Sequence, residues 1–213
     1  MHISIIFFFT NLLYNIVDLG SEIMKELFIS TYDENIIIGL FYNNKLIAHK
    51  EKQTIKTHSV YLIPLIEEIL KENDLETTDL NSIIVVNGPG SFTGIRLGVT
   101  VGKMLAYTLN IPIKLLTSIE AIAYSNKITN KIVELSDSKG KYIGIFENNK
   151  LIKDIVYLKN DLVEEYIKDY NYEIINNKID LNELENKIND IEVVNTHKAN
   201  PIYIKEIEAL SDK

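Results

Sequence analysis

Cysteine is absent from the 213 residues. That removes disulfides, thiolate metal sites and thiol nucleophiles together, and it fits a reducing cytoplasm. Histidine is scarce. His2, His49, His58 and His197 are scattered along the chain, with no His-x-x-x-His pair of the kind a helix uses to hold a metal ion. Basic charge is in the minority: the formal net charge is -8 and the sequence pI is about 5.1. Gripping a phosphate backbone needs a concentrated basic surface, so a chain of this balance is expected to reach RNA only indirectly, through another subunit. No apolar run attains the roughly 20 residues of a membrane-spanning helix. The longest, from Ile3 to Phe9, is soon interrupted by Thr10, Asn11 and Asn15, and no Lys or Arg precedes it as in a signal peptide.

What is present suits a packed core. Hydrophobic residues make up 46% of the chain, enough for one large domain or two small ones sharing an interface. Residues 1–23 read differently from the rest, and Met24 stands directly before a clean strand pattern. They are expected to be an N-terminal extension or a mis-assigned start. From Leu27 the pattern predicts a three-strand meander, 27–31, 36–41 and 45–49, with Asn43-Asn44 as a tight hairpin. A helix is expected over 58–71, kinked or begun at Pro64. Leu62, Leu65, Ile66 and Ile69 share one face of it; Val60, Tyr61, Ile63 and Leu70 are apolar too, so more than one side wants cover. A buried strand at 82–86, a helix to about Asn110, a strand at 113–116 and a helix capped by Thr117 or Ser118 follow. Beyond Asn126 strands are expected at 131–135, 142–146 and 151–157, helices at 161–168 and 181–187, and a strand at 191–194. This order predicts an α/β chain of two subdomains, 24–125 and a smaller one at 126–213.

The most distinctive stretch is Asn87-Gly88-Pro89-Gly90-Ser91-Phe92-Thr93-Gly94-Ile95-Arg96-Leu97-Gly98. A proline between two glycines specifies one tight turn, and Ser91 or Thr93 can cap the helix that follows. It is not a nucleotide loop. The Walker spacing fails at Gly98-Val99-Thr100-Val101-Gly102-Lys103-Met104, and Thr93 occupies the third glycine position of a dinucleotide fingerprint. Gly94, Gly98, Gly102 and Ala106 recur every four residues. Each interior Gly costs up to roughly 1 kcal/mol relative to Ala, a cost that close approach of another backbone can offset. That backbone belongs to the chain's own sheet or to a second subunit's helix, and the two can share the helix, one face serving the sheet and another the partner. Ser91, His58 and Asp137 can be written as a triad, but Ser91 has no nucleophile-elbow pattern, and Asp137 suits a turn before Gly140. Arg96 sits early in its helix, where the dipole disfavours a cation, so it should contact something else; Lys103 should snorkel off the apolar face.

At these residues the sequence resembles the TsaB family, whose hallmark Gly-Pro-Gly-Ser-Phe-Thr-Gly-Leu-Arg differs here only by Ile95. Gly98, Val99, Lys103, Leu105, Ala106 and Ile111-Pro112 continue the likeness. His58-Ser59 with Leu62 and Pro64 is similar to the family's His-Ser-Glu…Leu-x-Pro helix, with Val60 in place of Glu. Asp137, Gly140 and Tyr142, and Pro201-Ile202-Tyr203-Ile204-Lys205, resemble its later motifs. The resemblance implies an actin-like, sugar-kinase-like (ribonuclease-H-like) fold without catalytic residues, metal or cofactor. It implies a platform for the catalytic paralogue TsaD, which transfers threonylcarbamoyl to the tRNA adenosine next to the anticodon, with the ATPase TsaE completing the assembly. Contact is then expected through His58, Leu62, Ile66 and the segment Gly88, Pro89, Gly90, Ser91, Phe92, Thr93, Gly94, Arg96, Gly98, Gly102 and Ala106, with self-pairing into a homodimer when alone. Ser30 stands where the family carries Asp. The competing expectation is a stand-alone ATP-binding phosphotransferase or metallopeptidase of the same fold.

Overall fold

The computed structural model describes residues 23–176 and 178–204; the extension expected at 1–23 lies outside them but for Ile23. Strands β1 (Lys25–Ser30), β2 (Asn35–Tyr42) and β3 (Lys45–Gln53) form the expected antiparallel meander. Asn43 and Asn44 both take positive φ, 48° and 68°, the backbone a two-residue hairpin requires and one that Asn tolerates. β2 is buried along nearly its whole length, whereas β3 alternates as an edge strand does. Helix α1 (His58–Glu72) returns along the sheet with His58, Leu62, Ile66, Ile69 and Leu70 buried. It begins at His58 and includes Pro64 in its interior, so regular hydrogen bonding does not first begin at the proline. On the β3 side Lys50 pairs with Glu68 and Glu72 of the helix at 2.9 and 2.8 Å.

β4 (Ser82–Val86), every residue of it buried, lies parallel to β1; α2 (Phe92–Leu109) then leads to β5 (Ile113–Leu116), parallel to β4. Thr117 caps α3 (Ser118–Tyr124) through a reciprocal pair of bonds with Glu120, each 3.0 Å. The second sheet repeats the plan. β6 (Lys131–Ser136), β7 (Gly140–Glu147) and the short β8 (Lys150–Leu151) and β9 (Val156–Lys159) form an antiparallel unit. α4 (Asn160–Ile167) crosses over, and β10 (Glu173–Ile175) pairs parallel to β6 as β4 does to β1. Two copies of one meander–helix–strand plan are the mark of the actin-like fold.

Three expectations are corrected. The single strand at 151–157 is two strands. From Leu151 to Val156 the chain advances five residues while its partner β7 advances three, from Phe146 to Ile143, so the excess leaves the ladder. β10 was not anticipated, being only three residues long. And the chain after Ile175 does not stay with the second sheet. α5 (Leu181–Leu184), a tight turn at Glu185–Asp190 and β11 (Val193–Val194) return to the first, where β11 pairs with β5. Leu181, Leu184, Ile188 and Ile191 enter the core beneath the first sheet, so residues 181–194 belong with the first unit by packing. A buried ion pair fastens this return. Glu26 accepts from Lys114 Nζ at 2.7 Å and from Ser82 Oγ at 2.6 Å, and Lys114 also donates to Ile188 O at 3.3 Å.

Candidate functional site: the motif turn and the faces of two helices

The turn after β4 is wired into three neighbours. Ser91 N donates to Tyr32 O at 2.6 Å, Ser118 N to Gly88 O at 2.8 Å, and Ile202 N to Asn87 O at 2.8 Å. Ser118 Oγ donates to Pro89 O. Gly88 and Gly90 take φ of 111° and 150°, and a Cβ on Gly90 would run into the Tyr32 carbonyl. Both positions therefore need glycine. Ser91 is the N-cap of α2, its Oγ accepting from Gly94 N at 3.3 Å.

Of the two readings open for the small-residue ridge, the structure shows packing on the chain's own sheet. Gly94, Gly98, Gly102 and Ala106 are all buried. A Cβ on Gly94 would meet the Thr31 carbonyl, one on Gly98 the Thr31 hydroxyl, and one on Gly102 the Val85 side chain. A second subunit cannot approach where β1 and β4 already lie, so the expectation that this ridge meets a partner is corrected. Leu62 and Ile66 are corrected likewise: they are 0% and 2% exposed in the core. His58 is buried with its Nε2 2.8 Å from Asp33 O, which ties the start of α1 to the β1–β2 loop.

The opposite faces of the same helices are uncovered. Val60 is 59% exposed, Ile63 37% and Met104 50%, and Leu97 is half-buried. Leu97 stands on one flank of α2, while Met104 lines a hollow with Lys103, Tyr107, His197 and Pro201. Phe92, Arg96, Val99 and Lys103 step along the other flank at three- and four-residue intervals. Leu97 lines a cavity shared with His58 and Ser59 of α1, which places the first flank beside α1. The second flank meets the C-terminal strap, residues 195–204. There Lys103 donates to His197 O at 2.9 Å and Ala199 O at 3.2 Å, so it fastens the strap instead of only snorkelling. Arg96 lies over the Phe92 ring at 4.8 Å, and Phe92 packs on Tyr203 at 5.2 Å. The signal for the exposed α1 residues was in the sequence, in the apolar Val60 and Ile63 outside the core stripe; Met104 was missed.

A cavity of about 750 Å³ lies between the two sheets' ends, lined by Tyr32, Asp33, Lys56, His58, Ser91 and Asp137, among others. Ser91, His58 and Asp137 thus share one hollow, but their reactive atoms are occupied. Ser91 Oγ caps α2 and His58 Nε2 faces the Asp33 carbonyl. Asp137 accepts from Lys139 N at 2.7 Å, Gly140 N at 2.9 Å and Tyr157 OH at 2.7 Å. Asp33, Glu34 and Asp137 outnumber Lys56 in the lining, an unfavourable field for a phosphate chain. Burial, with the Asp33 carboxylate beside it, pushes the Tyr32 hydroxyl far above its ordinary pKa, so it stays a neutral phenol. Ser30 is buried, and its hydroxyl finds no hydrogen-bond partner among the described residues.

Duplicated mixed sheets and a cleft between them place the chain in the actin-like, sugar-kinase-like class. Comparison with known proteins narrows this. A family model for TsaD, tRNA N6-adenosine threonylcarbamoyltransferase, matches residues 45–198. The tRNA threonylcarbamoyladenosine biosynthesis protein TsaB of Bacillus subtilis is 32% identical over 68% of this chain and 65% of its own length. Its Escherichia coli namesake is 32% identical over 42% of this chain and 38% of its own length. The matches thus span less than two thirds of these curated relatives. Crystallised YeaZ from Pseudomonas aeruginosa superposes with a TM-score of 0.68 over 84% of this chain and 99% of that one, at 16% identity. A second P. aeruginosa structure, of a protein similar to peptidase YeaZ, gives 0.72 over 85% of this chain and 100% of that one. At such identity these structures speak for the fold. The chain belongs to the TsaB/YeaZ family.

Proposed function

We propose that this chain is a non-catalytic subunit of tRNA threonylcarbamoyladenosine biosynthesis. It docks a larger TsaD-like catalytic paralogue, and a TsaE-like ATPase completes the assembly. The reading draws on the TsaB name of its relatives. The observation that carries it is the uncovered aliphatic face of α1, with Val60 and Ile63 at 59% and 37% exposure, next to the half-buried Leu97 of α2. Apolar area removed from water stabilises an association by about 25 cal/mol per Å², and contiguous apolar patches mark interaction sites. When the catalytic paralogue is absent, a second copy of the chain uses the same face. Catalysis is assigned to the paralogue because the cleft's Ser, His and Asp are engaged in holding the turn, the helix cap and a loop.

Co-expression with the paralogue tests this. Val60→Lys combined with Ile63→Lys should abolish co-purification while far-UV circular dichroism stays that of the parent, since neither side chain belongs to the core. Retention of the complex by that variant, or ATP hydrolysis by the pure parent chain that a point substitution abolishes, would overturn the reading.

A further inference from the structure

The net charge of -8 is distributed very unevenly. No Asp or Glu falls between Asp79 and Glu120, a stretch that contains all of α2, and none between Glu192 and Glu206, which contains the strap. The strap packs on the second flank of α2, held by Lys103 on its carbonyls. Among the described residues, α2 and the strap therefore contribute Arg96, Lys103 and Lys198 and no carboxylate to the surface they share. It also carries exposed rings. Phe92 is 44% exposed and Tyr203 48%, their centroids 5.2 Å apart with the Arg96 guanidinium over Phe92. Along the same flank Tyr107, 66% exposed, meets His197 edge to face.

Cations interleaved with exposed aromatic faces are what an unpaired stretch of RNA needs. The rings stack bases and the cations follow the backbone. We infer that the strap flank of α2 contacts unpaired nucleotides of the tRNA directly, beside the catalytic paralogue docked on the α1 flank. The inference rests on the tRNA role proposed above and deepens it. The expectation of only indirect tRNA contact came from the summed charge, and the sum conceals this face. Three cations are too few to hold tRNA alone at physiological salt, so the contact adds to an affinity the paralogue supplies. An acidic protein segment is the competing occupant of such a face. Exposed rings side by side favour bases over carboxylates, since an ion pair needs no ring beneath it.

The test uses the assembled pair and a fluorescein-labelled anticodon stem-loop RNA, read by anisotropy over a salt series, with size-exclusion chromatography of each pair. Tyr203→Ala should weaken RNA binding roughly 5- to 150-fold, the span of one lost base stack. Lys198→Glu should lower the slope of log affinity against log salt by about 0.7, one phosphate contact to single-stranded RNA. Both pairs should elute as the parent does. Lys45→Glu, at the far edge of the first sheet, controls for net charge and should change neither. RNA binding unchanged in both strap variants overturns the inference, and so does a loss that Lys45→Glu reproduces. If the parent pair does not assemble, the docking proposal fails instead. The RNA is then added at millimolar concentration to the chain alone, where weak contact registers as NMR shifts, and shifts that are absent from the strap flank of α2 overturn the inference on their own.

Discussion

Gly98→Ala decides what the small-residue ridge of α2 is for, because only one of the two readings predicts a gain in stability. On a helix whose smooth face is open to solvent or to a partner, Ala replaces Gly with a gain of about 1 kcal/mol in intrinsic propensity. Here the added methyl would collide with Thr31 Oγ1. Thr31 is 0% exposed, and its hydroxyl donates to Gly94 O at 2.7 Å. It cannot turn aside without giving up that bond, worth about 0.5–1.5 kcal/mol. Nor can α2 move off the sheet without loosening the contacts of Ile95 and Val99, 1% and 3% exposed, an overpacking cost of about 1–3 kcal/mol. These are alternative relaxations, so against the propensity gain the balance runs from roughly no change to a net loss of about 2 kcal/mol. Urea denaturation followed by circular dichroism at 222 nm gives the difference directly, with an unchanged m-value as the check that the denatured state is not involved. A variant more stable than the parent by the full propensity gain of about 1 kcal/mol would show that β1 does not lie against the ridge and would return it to the surface.

Glu26→Ala should cost about 3–5 kcal/mol, because it strands the Lys114 ammonium, 13% exposed, with the Ile188 carbonyl as its remaining acceptor among the described residues. The transition should fall to lower denaturant, and it should do so far less for Glu26→Gln, which keeps an acceptor; equal losses would mean that charge is not what matters there. Lys131 gives a pH signature. Its Nζ donates to Ala123 O and Asn126 O at the end of α3, and burial lowers its pKa from 10.5 to about 8. Between those values the unfolded chain holds a proton that the folded chain has released. This group alone therefore makes folding more favourable as pH rises from about 8 towards 10.5. The stability difference between parent and Lys131→Met should widen in the parent's favour over that window; a flat difference refutes the shift.

Much of the fold could be read from the sequence because it is local. Asn43-Asn44 and Asn148-Asn149 mark hairpins wherever they occur, and all four take positive φ. Thr117 with Glu120 is a capping box at any address, and the apolar 82–86 run could only be a covered strand. The failures have a common cause, which is that they depend on what lies opposite. The break between β8 and β9 comes from a mismatch with β7, not from Ile152–Ile155. The return of 181–194 to the first sheet is fixed by Glu26 and Lys114 from far along the chain. Pro64, one of the two expected starts of regular hydrogen bonding in α1, lies inside the helix on its exposed side.

The glycine spacing shows the same limit most sharply. A four-residue period of small side chains states that some backbone comes close. It carries no information about whose. The α2 helix resolves this by using its faces for different tasks: glycines against β1 and β4, Leu97 beside α1, and Phe92, Arg96, Lys103 and Met104 beside the strap. Charge behaves likewise. A net value of -8 correctly says that the whole chain repels RNA at long range, where the field of all charges is summed. Within a Debye length of about 8 Å only the nearest groups count, and on the strap flank of α2 those are cations and rings. Long-range repulsion and short-range complementarity together would make RNA contact conditional on a basic partner delivering it, the behaviour an accessory subunit requires.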